Sequence, residues 1–250
     1  MSPSVVAVIQ ARMGSARLPG KTLLHLAGAT VLEHVVNRAR LARRVNQVVV
    51  ATSTNAEDDA IAQECARLKT QVVRGSALDV LDRYAVAAEH SGADVVVRIT
   101  GDCPLLDPVV VDSVVETFLA AAQCDYASNT LERTFPRGLD VEAVAAPTIA
   151  AAAREAGDPY EREHVTPFIY NRPERFTLRN VRAASDWSRL RWTLDTPVDY
   201  EYLENIFARV GIDSRSLPAF EHVARAVRED AGLMALNARA VQAGIVRPAG

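Results

Sequence analysis

The chain has 250 residues, 49% of them hydrophobic, enough for one α/β domain with a substantial core, and no run of Pro, Gly or Ser is long enough to separate two domains. A formal net charge of −3 lacks the basic excess of a nucleic-acid surface and argues against DNA or RNA as partner. Three widely spaced cysteines, Cys65, Cys103 and Cys124, match neither a disulfide framework nor a zinc site; with no charged leader and no run of about 18 apolar residues, a soluble protein of a reducing cytoplasm is expected.

The first apolar run, Val5-Val6-Ala7-Val8-Ile9-Gln10, breaks into Ala11-Arg12-Met13-Gly14-Ser15-Ala16-Arg17-Leu18-Pro19-Gly20-Lys21. This reads as a buried strand ending in a basic loop. Amides freed around Gly14 and Gly20, with Arg12, Arg17 and Lys21 beside them, make a cradle for a polyphosphate. The loop is not a Walker A sequence: aligned on Gly20-Lys21-Thr22, that motif needs a glycine where the chain carries Ser15. Nor does it have the G-x-G-x-x-G spacing of a dinucleotide fold. A solvated basic loop is the ordinary alternative.

Further Val-rich runs at 47–52, 71–74 and 95–100 alternate with helical periodicity over 31–42, 57–68 and 77–90. Such alternation predicts a mostly parallel sheet covered on both faces, with ligands at the carboxyl ends of its strands. A helix is expected over 109–122, with Pro108 in its first turn and Asp107 as its cap. The pattern then changes over about 126–185, a small excursion within the single domain. Strand-like pieces at 126–129 and 139–144 surround a loop at 132–138 and suit an antiparallel edge. Helices are expected over 148–155 and 160–170, strands over 176–181 and 190–194, and a helix over 197–210. The remainder, 211–250, reads as helical, with Leu233, Met234, Leu236 and Val241 as packing positions.

Two aspartates end short apolar runs. Asp102 follows Arg98-Ile99-Thr100-Gly101, and Asp195 follows Arg191-Trp192-Thr193-Leu194. Rigidly held carboxylates suit a hard divalent cation whose remaining positions are filled by phosphate oxygens or water. Asp102 could equally cap the turn before Pro104, and Asp195 and Thr196, taken alone, read first as helix N-cap candidates. Asp199 is expected in the first turn of the last long helix, where an acid suits the helix dipole, and Trp192 in the core. Thr52, Arg74 and Ser76 end the second and third strands, where a base could be read, although Arg74 and Asp79 could also form a surface pair.

The run R-x-G-S-x-R-L-P-G-K at 12–21 resembles the phosphate-binding signature of the cytidylyltransferase family, which includes the SpsF-like spore-coat polysaccharide proteins and, more distantly, the enzymes that load CMP onto 3-deoxy-manno-octulosonate and sialic acids. G-D-x-P-L-x-x-P at 101–108, G-S-x-x-D-V-L-x-R-Y at 75–84, P-x-G-L-D-V-E at 136–142, R-E-H-V-T-P at 162–167 and L-D-T-P-x-D-Y at 194–200 are similar to family segments and occur in the family's order. The resemblance implies a three-layer, Rossmann-like α/β fold with a mostly parallel mixed sheet of the nucleotide-diphospho-sugar transferase type. It implies transfer of CMP from CTP, with Mg²⁺, to a small acidic acceptor, and release of pyrophosphate. Arg12, Lys21 and Asp102 would be catalytic, with Mg²⁺ on Asp102 and Asp195. The nucleotide would lie on Gln10, Ala11, Arg12, Gly14, Ser15, Arg17, Lys21, Thr52, Arg74, Ser76, Asp79 and Thr100. Arg137, Asp140, Glu142, Arg162 and His164 would face the acceptor. A homodimer is expected by analogy with relatives. The competing readings are a nucleotidyltransferase with another nucleoside triphosphate or with a phosphonate or sugar-phosphate acceptor, a glycosyltransferase using a nucleotide sugar, and a non-catalytic nucleotide sensor.

Overall fold

The computed structural model describes residues 2–213 and 218–245. Strand β1 (Val5–Gln10) is apolar from Val5 to Ile9 because both of its faces are covered. Val5, Ala7 and Ile9 enter one core cluster, while Val6 and Val8 enter a second one across the sheet. After the basic loop come a single 3-10 turn (Lys21–Leu23), a hairpin of β2 (His25–Leu26) and β3 (Ala29–Thr30), and helix α1 (Val31–Arg40). There follow β4 (Gln47–Ser53), α2 (Asp59–Arg67), β5 (Gln71–Gly75), α3 (Val80–Ser91), β6 (Val95–Thr100) and α4 (Pro108–Ala120). The Asp107 carboxylate accepts from the amides of Val109 and Val110 and caps α4 as expected.

The excursion supplies β7 (Tyr126–Ser128), β8 (Glu142–Ala145), α5 (Ala146–Glu155), α6 (Pro159–His164), α7 (Pro167–Tyr170) and β9 (Leu178–Asn180). Three helices close the chain: α8 (Pro197–Val210), α9 (Phe220–Glu229) and α10 (Ala231–Ile245). Leu233 is buried and Met234 and Leu236 pack partly against the core; residues 214–217 and 246–250 of the predicted helical tail lie outside the described residues. No helix among the described residues is long and apolar enough to cross a membrane.

The main sheet has seven strands in the order β5-β4-β1-β6-β8-β7-β9. β5, β4, β1 and β6 are parallel; β8 runs antiparallel to both β6 and β7, and β9 is parallel to β7. This is the expected mostly parallel mixed sheet, with helices on both faces. The chain leaves β1 toward β4 and β5, then crosses back to β6, so the crevice between the ends of β1 and β6 is a topological switch point, where ligands of open α/β sheets bind.

Two expected elements differ. The helix over 160–170 is split at Val165, whose φ of 73° and ψ of −63°, with Thr166 N donating to His164 O at 2.9 Å, form a tight three-residue turn. The 190–194 strand is absent as a strand: the segment is extended, but its partners are loops, with one bridge between Arg137 and Arg191.

Candidate active site

Gly101 brings the two central strands together at the switch point. Its amide donates to Gln10 O at 2.8 Å, and a Cβ there would lie 2.9 Å from that oxygen, so no larger residue fits without displacing backbone. Asp102 is thereby held beside the basic loop. The loop is folded on itself by Met13 O, which accepts from Ser15 N and Gly20 N at 2.9 Å each. It is anchored to β4 by the buried Asp58, which accepts from Met13 N at 2.7 Å and from the Ser53 amide and hydroxyl. Sequence reasoning missed Asp58, which lies in the acidic run 57–59 and reads there as an ordinary helix start.

Lys21 is the hub. Its Nζ lies 2.5 Å from Asp102 Oδ2 and 2.7 Å from Asp195 Oδ1. Burial alone would push the Lys21 ammonium down, but Asp102 and then Asp195 outweigh it and hold the group above the ordinary lysine value. Burial likewise works against the Asp195 carboxylate, and Lys21, followed by Arg191, overcomes it and keeps Asp195 below the ordinary range. Asp195 Oδ2 receives Arg191 Nη2 at 2.6 Å and Arg17 Nη2 at 3.2 Å. Asp199, almost fully buried, fixes Arg191 through Nε at 2.8 Å and accepts from the amides of Asp195 and Thr196. Its predicted place in the first turn of α8 is therefore a capping box that also orients Asp195. A backbone bond from Leu194 N to Asp102 O, 2.9 Å, ties the two acidic loops together.

A cleft of about 340 Å³ opens over this hub, lined by Gln10, Ala11, Arg12, Ser15, Arg17, Lys21, Thr100, Asp102, His164 and Asp195 among the expected residues, and also by Arg98 and Glu163. Arg12 makes no ion pair among the described residues. Asp102 and Asp195 converge on one cation, with the Lys21 ammonium as the cation held there. This all-oxygen pair fits Mg²⁺ shared with phosphate oxygens. The described residues contain no group of three His, Cys, Asp or Glu able to hold a metal by themselves, so such an ion would depend on substrate oxygens.

A second cavity of about 500 Å³ adjoins the first and shares Arg98 and His164 with it; Arg133, Arg137, Asp140, Glu142, Tyr160 and Tyr170 are among its other walls. Gly138 shapes this wall: its φ is 103° and a Cβ would meet Trp192 C at 2.6 Å, which lets Trp192 N donate to Arg137 O at 2.6 Å. Trp192 itself is fully buried, as expected. Asp140 is held by two bonds from Arg133, at 2.5 and 2.8 Å.

Several expected contacts lie elsewhere. Gly14, Thr52, Arg74, Ser76 and Asp79 line neither cavity, and Thr52 is fully buried. Arg74 is drawn to Asp59, Ser53 O and Asn55 O instead of pairing with Asp79. Arg162, expected to clamp the acceptor, bonds Asp79 and the carbonyls of Ala153 and Ala156, so it ties α6 to the start of α3 and to the end of α5. Arg83, which the sequence reading did not single out, is buried and bonds Ser76 O and Ala77 O, bracing the 76–79 loop from below. Arg98 was also missed, although a lone cation in a Val-rich strand was visible.

The sequence matches the family described as cytidylyltransferase over residues 6–224. It is 32% identical over 215 residues to the spore coat polysaccharide biosynthesis protein SpsF of Bacillus subtilis, covering 83% of this chain and 88% of that protein. It is 28% identical over 248 residues to a 3-deoxy-manno-octulosonate cytidylyltransferase of Solibacter usitatus, covering 83% and 96% of the two chains. The solved structure of a cytidylyltransferase from Leptospira borgpetersenii superposes with a TM-score of 0.87 at 32% identity, over 93% of this chain and 97% of that one. With the match spanning most of the chain and the switch-point cleft intact, this protein belongs to the cytidylyltransferase family.

Proposed function

We propose that the protein transfers CMP from CTP to a small acidic acceptor, such as a sugar acid, with Mg²⁺ and release of pyrophosphate, in the assembly of a surface polysaccharide or related glycan. The observation that carries this reading is the convergence of Asp102, Asp195 and Lys21 at the sheet's switch point, next to a basic loop whose Arg12 has no ion-pair partner among the described residues. Family membership supports the cytidine nucleotide, and the named activities of the relatives support the acceptor class.

An acceptor hydroxyl attacks the α-phosphorus in line and gives up its proton to solvent; the bond from that phosphorus to the oxygen bridging to the β-phosphate breaks, and pyrophosphate leaves with the electron pair. No covalent enzyme intermediate is needed. Arg12 and the amides of the basic loop take the outer phosphates, and Arg17 and Lys21 offset charge that builds on the α-phosphate and the leaving group. Asp102 and Asp195 would hold Mg²⁺, which would supply Lewis-acid stabilisation of the charge on the triphosphate. Arg191 and Asp199 keep Asp195 aimed into the cleft.

The test is pyrophosphate release with CTP and Mg²⁺ across sugar acids, phosphonates and sugar phosphates, with Asp102→Asn in parallel. Turnover with a sugar acid that the variant loses is the expected result. CTP binding without turnover on any acceptor would favour a nucleotide sensor, and no CTP binding would refute the site.

A further inference from the structure

An acceptor hydroxyl that attacks phosphorus has to lose its proton, and a base for that proton must reach the acceptor and the α-phosphate together. Such a base belongs where the two cavities meet. Among the described residues only Arg98 and His164 line both. Arg98 can only donate, and its Nη1 is already bonded to Glu142. Of the five histidines in the chain, His164 alone lines either cavity. The carboxylates around it are engaged: Asp102 and Asp195 share Lys21, Asp140 is held by Arg133, and Glu142 takes Arg98 and the Tyr126 hydroxyl. Glu163 lines the nucleotide cleft but not the second cavity.

His164 is exposed, and its ring makes no hydrogen bond or ion pair to the described residues; its partner is the Tyr160 ring one turn earlier on α6, with centroids 4.3 Å apart. Both ring nitrogens therefore stay open. The backbone beside it is held in an unusual state. Val165, with φ of 73° and ψ of −63°, forms a rare type of γ-turn in a region that β-branched residues seldom enter. Its side chain is fully buried in the second core cluster and its amide donates to Glu161 O at 2.9 Å, so packing enforces the turn. Backbone kept out of its easy regions clusters at functional sites. Here it fixes the residue at the end of α6, His164.

We propose that His164 is a catalytic residue of the transfer, the general base that takes the acceptor's hydroxyl proton. The inference rests on the CMP-transfer reading and adds to it the route by which that proton reaches solvent. An unprotonated ring nitrogen takes the proton as the hydroxyl oxygen bonds to the α-phosphorus; the bond from phosphorus to the bridging oxygen breaks, and its electron pair leaves with pyrophosphate. The imidazolium then gives the proton to water, which its exposure allows. Imidazole is the side chain suited to moving a proton in both directions near neutral pH. A base at this junction serves whichever acceptor fills the second cavity, because every acceptor must present a hydroxyl there.

The experiment follows pyrophosphate release in single turnovers, so that product release does not mask the chemical step, in wild type, His164→Gln and His164→Ala at saturating acceptor. Expected is a fall of about 100- to 10,000-fold in the rate of both variants, with CTP affinity within about threefold of wild type. Added imidazole should restore part of the His164→Ala rate and leave the wild-type rate as it is, a rescue that a merely structural histidine would not show. An unchanged rate in the variants, a loss that more acceptor abolishes, or a lost rate that imidazole does not raise would overturn the role of His164 while the CMP-transfer reading stands. A wild type that turns over no acceptor would overturn both. The placement is read without turnover by proton NMR: the His164 ring signal, assigned by its loss in His164→Gln, must shift when CTP is added, and a signal that CTP leaves in place overturns the assignment to this junction.

Discussion

Removing the Lys21 ammonium while keeping its length, as in Lys21→Met, leaves Asp102 and Asp195 facing each other without a cation. The two ion pairs that Lys21 makes are 2.5 and 2.7 Å long, and the three side chains are 13%, 16% and 21% exposed. At an effective dielectric constant of about 20 each pair has a gross Coulomb energy of about 6 kcal/mol. Desolvation of all three groups offsets most of that, and breaking such a pair from one side typically costs about 3–5 kcal/mol. Arg17 and Arg191 still reach Asp195, so the lower end of that range applies. For a chain of this size about 3 kcal/mol lowers the melting temperature by roughly 6–12 °C. Calorimetry on ligand-free protein measures it, and the double variant Lys21→Met/Asp102→Asn should regain part of the loss, because Asp102, whose cationic partner is Lys21, is the carboxylate left stranded and it has gone with the lysine. A Lys21→Met protein that melts with wild type, or strictly additive effects in the double variant, would refute the hub.

Gly138→Ala forces a Cβ to 2.6 Å from the Trp192 backbone at a φ of 103°; we expect a loss of about 3 kcal/mol or more in urea unfolding, together with a raised acceptor KM as the Arg137 loop shifts. Asp199→Ala strips the capping box and leaves Arg191 with Asp195 alone; it should cost about 3–5 kcal/mol and lower kcat more than CTP affinity, read from melting and steady-state kinetics. Stability should fall at both pH extremes. Asp195 has a depressed folded pKa, so its contribution is present above the unfolded value of about 4 and is lost as pH falls through the lower folded value. Lys21 has a raised one, so its contribution is present below the unfolded value of 10.5 and is lost as pH rises through the higher folded value. Urea midpoints across pH test both signs, and Lys21→Met should remove the alkaline limb assigned to this residue.

The parallel strands were legible because burial on both faces leaves the centres of β1 and β4 no polar side, and in β6 Arg98 alone interrupts the run Val95–Ile99, so each appears as a Val-rich apolar stretch. The 190–194 segment carries the same signal for a different reason. Trp192 and Leu194 are buried, yet their amides bond Arg137 O and Asp102 O in loops, which an apolar pattern cannot distinguish from a sheet ladder. The break in the 160–170 helix had a visible cause in Pro167, which has no amide to continue the hydrogen-bond series and starts α7 instead. Within the site, Asp102 and Asp195 could each be suspected from a strand-then-turn context, but nothing in spacing shows that they share Lys21, which lies 174 residues before Asp195. Arg162 and Asp79, 83 residues apart, bond each other between α6 and the start of α3, a pairing that neither motif shows.

The acids beside the basic loop need an explanation, since carboxylates oppose a triphosphate. Arg12, Arg17, Lys21 and Arg98 line the first cleft against Asp102, Glu163 and Asp195, so it is close to neutral before any nucleotide arrives. A pocket built only to hold phosphates would omit the acids. Their presence makes sense if a cation always stands between them, Lys21 in the free protein and a divalent ion with the phosphates. This gives Asp102→Asn two effects of opposite sign. Without divalent metal, CTP should bind about tenfold more tightly than to wild type, because one repelling charge worth roughly 1.4 kcal/mol in this partly exposed site has gone. With Mg²⁺ the variant should lose the metal-dependent gain in affinity and drop at least about 100-fold in kcat. Calorimetric titration of CTP in chelator and in Mg²⁺ separates the two. If the variant bound CTP more weakly than wild type in chelator, Asp102 would be supporting the loop and not holding a cation.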